Sequence, residues 1–403
     1  MSTLPTRFQP DHRRQDAARF RLLLGKKHLP SDGQIERFGQ LLMQGDPLDA
    51  EVAAWGNEVG FASSRAMIDK ALDEGIEAVP DAPDFVKRLF AHLDSEPTWL
   101  DRRRLERGQK AISRTGAVGT LIMRDVALMG GYSNAAINKP LVFTGSLTQG
   151  TARRNSETIA FSLEATRPGS LHRFSNGFKT TIRVRFLHAL LRHKIQNHPH
   201  WKTEEWGVPI NQGDMLATNL AFSVGFMAGM RVLGFRFSAA ERDGIIHLWR
   251  YLGYLMGIDE RSLVTNEKEG QRLLYIMLMS QPAPDEDTRQ LAWALMNEPH
   301  ERAPDTPIGR LKAEASMRMH NGVSRFFLGK ASYQNLGLPM DRQWPWVPLA
   351  VMPAIATAET VRQILPGGNA IFLKAGMAWR KRWLHHVLAG KTADFKPVEN
   401  LTR

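Results

Sequence analysis

The octapeptide RFLHALLR, residues 185–192, combines two arginines and one histidine with an otherwise apolar sequence. In a helix, Arg185, His188 and Arg192 lie at positions i, i+3 and i+7 and share one face. Their neighbours are apolar nearly all round, which is typical of a buried helix. Because an unpaired charge in the interior is too costly, the arginines require an anionic partner. That partner is either a carboxylate of the protein or one of a bound cofactor.

The composition is that of a soluble globular protein. The chain has 403 residues, of which 43% are hydrophobic and 23% charged, enough for two or three ordinary domains or one large one. The formal net charge is +12, but Lys and Arg are spread along the chain and form no basic tail. This distribution favours a solvated basic surface, and we expect no nucleic-acid partner.

The absence of cysteine excludes several classes of site. Disulfides, zinc fingers, iron–sulfur clusters, thiolate-ligated haem and cysteine nucleophiles all need a thiol. Any metal must therefore be held by His, carboxylate, Tyr, Met or Lys side chains.

Neither a leader nor a membrane span is indicated. The first residues include Arg13 and Arg14 but no apolar core after them, so they are unlike a signal peptide. The longest apolar run, residues 215–230, contains polar residues and is shorter than the about 20 residues that a membrane span needs. We expect a buried helix at this run, no transmembrane segment and a cytoplasmic location.

Helical periodicity recurs along the chain, and no stretch alternates in the manner of a strand, so the predicted fold class is all-α. We expect a loosely docked arm over residues 1–32, turns at Gly145 and Gly150, a linker over 299–307 and a loop over 337–353. The main predicted helices are short ones within 32–93, then 153–165, a helix through His188 to about 199, and 215–233, 238–257, 267–281, 285–297, 311–327 and 375–388.

A single histidine on an apolar helix is most often a satisfied core residue. The two flanking arginines favour a haem, because haem carries two propionates and needs an apolar slot with cations at its edge. Without cysteine, histidine is the expected axial ligand. The histidine pairs at 198/200 and 385/386 are weaker metal candidates, and the chain has no di-iron, zinc-protease, P-loop or dinucleotide-binding motif.

The segment RFLHALLR, preceded by ARRNSET and followed by EEWGVPINQGDMLATNLAFS and HLWRYLGYLMGI, resembles the catalytic-domain family of latex-clearing proteins (rubber oxygenases) and the fungal mycophenolic-acid pathway oxygenase. The resemblance runs from about residue 97 to about 294. It implies an all-α, globin-like core with additional helices that holds haem b. We therefore expect an N-terminal arm and helical extension at 1–95, the haem-binding oxygenase core at 96–300 and a C-terminal helical extension packed on the core at 301–403.

The resemblance also implies roles for single residues. His188 matches the proximal iron ligand, and Arg185 and Arg192 match the family's two arginines. On the other face of the haem, Arg154 and Thr158 match, but Glu157 stands where rubber oxygenases have a lysine. The Glu157 carboxylate would exchange a proton with bound oxygen or simply pair with Arg154.

Four further positions match the family's loop and following helix. We expect Trp206 and Pro209 to pack, and Asn211 and Thr218 to satisfy backbone groups.

These observations predict a haem b-dependent oxygenase that uses molecular oxygen and an apolar, unsaturated substrate of small or medium size. The Glu157 departure and the missing export signal argue against polyisoprene as that substrate. One alternative is a non-catalytic haem sensor or carrier, which would share every haem-binding residue. Another is a cofactor-free helical module whose basic surface binds nucleic acid or an anionic membrane.

Overall fold

The computed structural model describes residues 4–12, 17–18, 21, 29–47, 49–145, 151–388 and 401. Every regular element within these ranges is a helix, which confirms the predicted all-α class. The predicted turn at Gly145 is present, with φ at 77°, whereas Gly150 lies outside the described residues.

In the first half of the chain, the described residues form ten α-helices, the last of which carries His188. They are α1 (Asp32–Leu41), α2 (Asp49–Val59), α3 (Phe61–Glu74), α4 (Asp84–Asp94), α5 (Arg102–Ser113), α6 (Gly116–Ile122), α7 (Met129–Gly131), α8 (Lys139–Phe143), α9 (Thr151–Ala165) and α10 (Asn176–Gln196).

The described residues of the second half form ten further α-helices. They are α11 (Thr203–Trp206), α12 (Gln212–Leu220), α13 (Phe226–Val232), α14 (Ala239–Leu255), α15 (Glu267–Ser280), α16 (Glu286–Arg302), α17 (Pro307–Leu328), α18 (Lys330–Asn335), α19 (Val347–Ile364) and α20 (Gly368–Val387). A π-helical turn, Met123–Leu128, joins α6 to α7, and a second, Ala221–Gly225, joins α12 to α13.

Helix α10 lies at the centre of the protein, packed against α2, α3, α9 and α14. Its buried residues include Phe178, Ile182 and Phe186, and the Phe186 ring lies 6.5 Å from the ring of Trp55. The main apolar core is continuous from the N-terminal helices through α14 and α15 to Ile355 in α19. This packing fixes α10 rigidly, as a helix that positions a functional side chain requires.

Local signals place α5 and α14 in direct backbone contact. Asp101 caps α5, and Ser238 with Glu241 forms the predicted capping box of α14. The two helices cross where Gly108 meets Gly244, because a Cβ on Gly108 would lie 2.2 Å from the Gly244 carbonyl oxygen. Only glycine permits this approach.

Three sequence expectations about irregular segments are wrong in part. Helix α16 continues through Pro299 to Arg302, because the Leu295 carbonyl, which the proline leaves without its helical N–H donor, accepts from Arg124 Nη2 instead. The predicted 337–353 loop gives way to α19 at residue 347, with Pro348 at the favoured start of the helix. Residues 4–12 are docked rather than loose, with Phe8 only 7% exposed.

One helical stretch among the described residues, Gln212–Val232, is long and apolar enough to cross a membrane. It is longer than the run that the sequence indicated. Within it, 72% of the most apolar window is buried inside the protein, as in the core helix of many globular domains.

Candidate active site

A cavity of about 1190 Å³ lies between α9, α10 and the Gln212–Val232 stretch. Small-molecule sites usually measure about 300–1,000 Å³, so this one has room for more than one small ligand. Its lining follows the long helical stretch from Asp214 to Val232, a distance of about 27 Å at about 1.5 Å per residue. Leu, Ile, Val, Met, Phe and small residues make up most of the wall.

His188 reaches this cavity from α10. The ring is half-buried, and its Nδ1 atom is fully buried with no hydrogen-bond partner among the described residues. Burial, and then the positive charge of Arg154, lowers the pKa of His188 to about 4, against a smaller opposing effect of Asp46. The imidazole is therefore neutral near pH 7, which is the form that binds a metal.

The neighbouring helix α9 contributes Arg154, Glu157 and Thr158 to the same cavity. Arg154 Nη1 donates to Thr144 Oγ1 at 2.8 Å, and Thr158 Oγ1 donates to the Arg154 carbonyl at 3.1 Å. Burial lowers the pKa of Arg154, while its electrostatic interactions with Tyr132 and Glu157 oppose this. The structure thus brings the predicted residues of α9 together with His188 around one space.

Arg185 and Arg192 do not belong to the described cavity lining. Arg185 donates from Nε and Nη2 to the two carboxylate oxygens of Asp46, at 2.6 and 2.9 Å. Arg192 donates to the carbonyls of Pro209 and Ile210, and burial lowers its pKa to about 10. The anionic partner of Arg185 is therefore a protein carboxylate, and contact of either arginine with a cofactor stays a prediction.

Comparison with known proteins identifies the family. Residues 118–362 match the family model described as "ER-bound oxygenase mpaB/B'/Rubber oxygenase, catalytic domain", which is more than half of the chain. The chain belongs to this family. The rubber oxygenase of Streptomyces sp. (strain K30) is 23% identical over 197 residues, which is 48% of this chain and 46% of that protein. The match thus spans about half the length of the relative.

A solved structure shares the fold over most of the chain. The structure titled "Structure of Latex Clearing Protein LCP in the closed state" aligns with a TM-score of 0.67 and 17% identity, covering 89% of this chain and 95% of that one. The architecture is therefore that of this member of the rubber oxygenase family. The more specific likeness to the globin fold stays a prediction.

The family loop between α10 and α12 packs and caps as expected. The Asn211 side chain accepts from the Asp214 backbone N–H at the start of α12 and donates to the Val208 carbonyl, and Thr218 donates to the Asp214 carbonyl. The Trp206 ring packs against the ring of Trp201 at 5.1 Å. Thr218 also lines the cavity.

The weaker histidine candidates do not build a metal site. His198 and His200 have ring centroids 5.5 Å apart, and the backbone N–H of His200 donates to His198 Nδ1. Within the described ranges, no group of three or more His, Asp or Glu side chains could hold a metal ion.

Several residues around the cavity carry no signal in the sequence. Asp214 lines it and pairs with Arg7, whose guanidinium Nη2 lies 2.7 Å away in a buried contact. Tyr132 also lines it, donates to Asn155 Oδ1 at 2.7 Å, and has its pKa raised by burial. These contacts join distant parts of the chain and leave no local motif.

Both π-helical turns contribute to the cavity wall. Val126, Ala127 and Leu128 come from the first turn, and Ala221, Phe222 and Gly225 from the second. A π turn inserts an extra residue into a helix and is frequent at functional sites.

Proposed function

We propose that this protein is a haem b-dependent oxygenase in which His188 binds the iron from one side. The observation that carries the proposal is the neutral imidazole of His188, with its unpartnered Nδ1, at the wall of a large apolar cavity. Membership of the oxygenase family supports the reaction class.

The residues present fit a haem. A single imidazole gives one ligand, so an iron held at His188 needs its remaining ligands from a macrocycle. The cavity volume and the apolar walls suit a flat apolar group, and the neutral imidazole is ready to coordinate without first losing a proton. When bound, the haem would supply the oxygen-activating chemistry.

The three α9 side chains at the cavity would have different roles in this proposal. Arg154 is the one arginine or lysine among the described lining residues, and its guanidinium donates to Thr144 Oγ1. Thr158 uses its hydroxyl hydrogen on a backbone carbonyl, so its oxygen is oriented to accept a hydrogen bond from a ligand. The Glu157 carboxylate can hold or release a proton at the cavity surface, and its charge acts on Arg154.

The proposed substrates are molecular oxygen and an apolar, unsaturated organic molecule of small or medium size. The mainly apolar wall excludes water and binds such a molecule through the hydrophobic effect. The cavity also extends along a whole helix and leaves space beyond a cofactor at His188. The cytoplasmic location expected from the sequence is part of this proposal.

Oxygen consumption by the haemin-loaded protein tests the proposed function. We expect a visible spectrum typical of haem and oxygen uptake that depends on an added unsaturated terpenoid or fatty acid. A protein that binds oxygen reversibly but consumes none with any such compound would be the non-catalytic haem carrier. A protein that takes up no haemin would overturn both readings.

A further inference from the structure

Helix α19 carries its apolar side chains on the outside. The exposed fractions are 58% for Leu349, 47% for Val361 and 75% for Ile364. These positions, with Trp346 just before the helix, recur at helical spacing on the face opposite the buried Ile355. A helix on the surface of a water-soluble domain usually has the reverse arrangement, with the apolar stripe toward the core.

The two charged residues of α19 point inward and are paired there. Glu359 is 1% exposed and accepts from Arg114 Nη1 at 2.9 Å. Arg362 donates to the other Glu359 oxygen at 2.9 Å and to Asn369 Oδ1. The charged side chains of α19 are therefore buried in the protein, and its outer face is uncharged and apolar.

Helix α20 packs against α19 and carries exposed basic side chains. Lys374, Lys381 and Arg382 are exposed. Residues 347–388 are all described, and their single acidic residue is the buried Glu359. An apolar surface beside cations, with no exposed acid, matches the chemistry of an anionic lipid bilayer. A second copy of the chain would bring like charges together and fits less well.

We propose that this surface docks on an anionic bilayer. The lipid face is defined as Trp346, Leu349, Val361, Ile364, Leu365 and Ile371 together with the basic residues Lys374, Lys381 and Arg382. The apolar side chains enter the headgroup region, and the cations pair with lipid phosphates. Such binding is peripheral and reversible, and it does not depend on haem.

Helix α19 passes close to one end of the cavity. A Cβ on Gly234 would lie 3.6 Å from the Cβ of Ala356 in α19, and Val232, two residues earlier, lines the cavity and is 44% exposed. An apolar substrate dissolved in the bilayer would enter the cavity near Val232. This consequence, unlike the docking itself, rests on the proposed function.

Vesicle co-sedimentation of the full chain tests the docking. We expect binding to vesicles of phosphatidylcholine and phosphatidylglycerol, weaker binding to pure phosphatidylcholine, and a decline as salt rises. The double variant Leu349→Glu/Ile364→Glu should bind at least about tenfold more weakly, because two inserted side chains are lost. The matched control is Phe174→Glu, at a 57% exposed apolar residue outside α19 and α20, which should bind like the wild type.

Three results would overturn the proposal. The first is that the wild type does not bind anionic vesicles, and the second is that the double variant binds them as well as the wild type does. The third is that the wild type is a dimer that binds no vesicles, and that the double variant is a monomer. If the double variant does not give the wild-type circular dichroism spectrum, Lys381→Glu/Arg382→Glu serves instead, since both side chains are exposed. That variant must then lose the salt-sensitive part of the binding.

Discussion

Replacing Asp46 with alanine tests how the Arg185 guanidinium is held one turn from His188. The two side chains are 2% and 8% exposed, and both carboxylate oxygens accept from the guanidinium. Removing one partner of a buried ion pair leaves an uncompensated charge and costs about 3–5 kcal/mol. We therefore expect Asp46→Ala to lower the free energy of unfolding by about 3–5 kcal/mol.

Urea unfolding of the haem-free protein, followed by far-UV circular dichroism, gives this free energy. The control is Glu51→Ala, because the Arg88–Glu51 pair is more than half exposed and should contribute less than about 1 kcal/mol. The double variant Asp46→Leu/Arg185→Met should regain most of the loss, since no charge stays buried. A loss below about 1 kcal/mol for Asp46→Ala would refute this account of the pair.

A substitution at Gly257 would also disturb the ion pair between Asp46 and Arg185. A Cβ there would lie 1.9 Å from Asp46 Oδ2 and 2.6 Å from Arg185 Nε, and the φ of 83° already disfavours other residues. Gly257→Ala should therefore destabilise the protein through the same ion pair. Combined with Asp46→Ala, its effect should be less than additive. Fully additive losses would show that the two sites act separately.

Three other predictions concern a titration, a side chain of the cavity and a helix crossing. Burial lowers the pKa of His247 to about 4, so as the pH falls below about 6.5 the unfolded chain binds a proton at this residue before the folded protein does. Between pH 7 and 4, the free energy of unfolding of the wild type should therefore fall by up to about 3 kcal/mol more than that of His247→Gln, as measured by urea unfolding. Glu157→Gln should keep its haem but consume oxygen at least about tenfold more slowly, and undiminished turnover would leave only the pairing role. Gly108→Ala should lower the free energy of unfolding by about 3 kcal/mol or more, because the added Cβ would collide with the backbone of Gly244. The control Gly33→Ala, which has open space around it, should not be destabilised. Equal melting temperatures for the two variants would contradict this prediction.

Local patterns predicted the helices well, since their signals lie within a few residues. The capping box of Ser238 and Glu241 set the start of α14, and the apolar run around His188 set α10. The prolines led to wrong predictions of helix ends, because the effect of a proline on a helix depends on its position and on tertiary contacts. Pro299 stays in a helix partly because the preceding residue, Glu298, is anchored by ion pairs to Arg124 and Arg302.

The candidate site was predictable only in part. Arg154, Thr158 and His188 match the family pattern and Glu157 departs from it, and all four line the cavity. The partners of the buried charges were not predictable, because Asp46 lies 139 residues from the arginine that it pairs with. Such pairs depend on how α10 packs against the N-terminal part of the chain, and this packing cannot be inferred from the spacing of residues in the sequence.

The proposed binding of haem iron by His188 is tested most directly by the visible spectrum of His188→Ala after loading with haemin and gel filtration. The control is His193→Ala, on the same helix, whose ring lies within hydrogen-bonding distance of the Asn197 side chain. We expect the wild type and the control to keep an intense violet absorption band that shifts on reduction, and His188→Ala to lose its haem. A His188→Ala protein with full haem content and an unchanged spectrum would contradict the account.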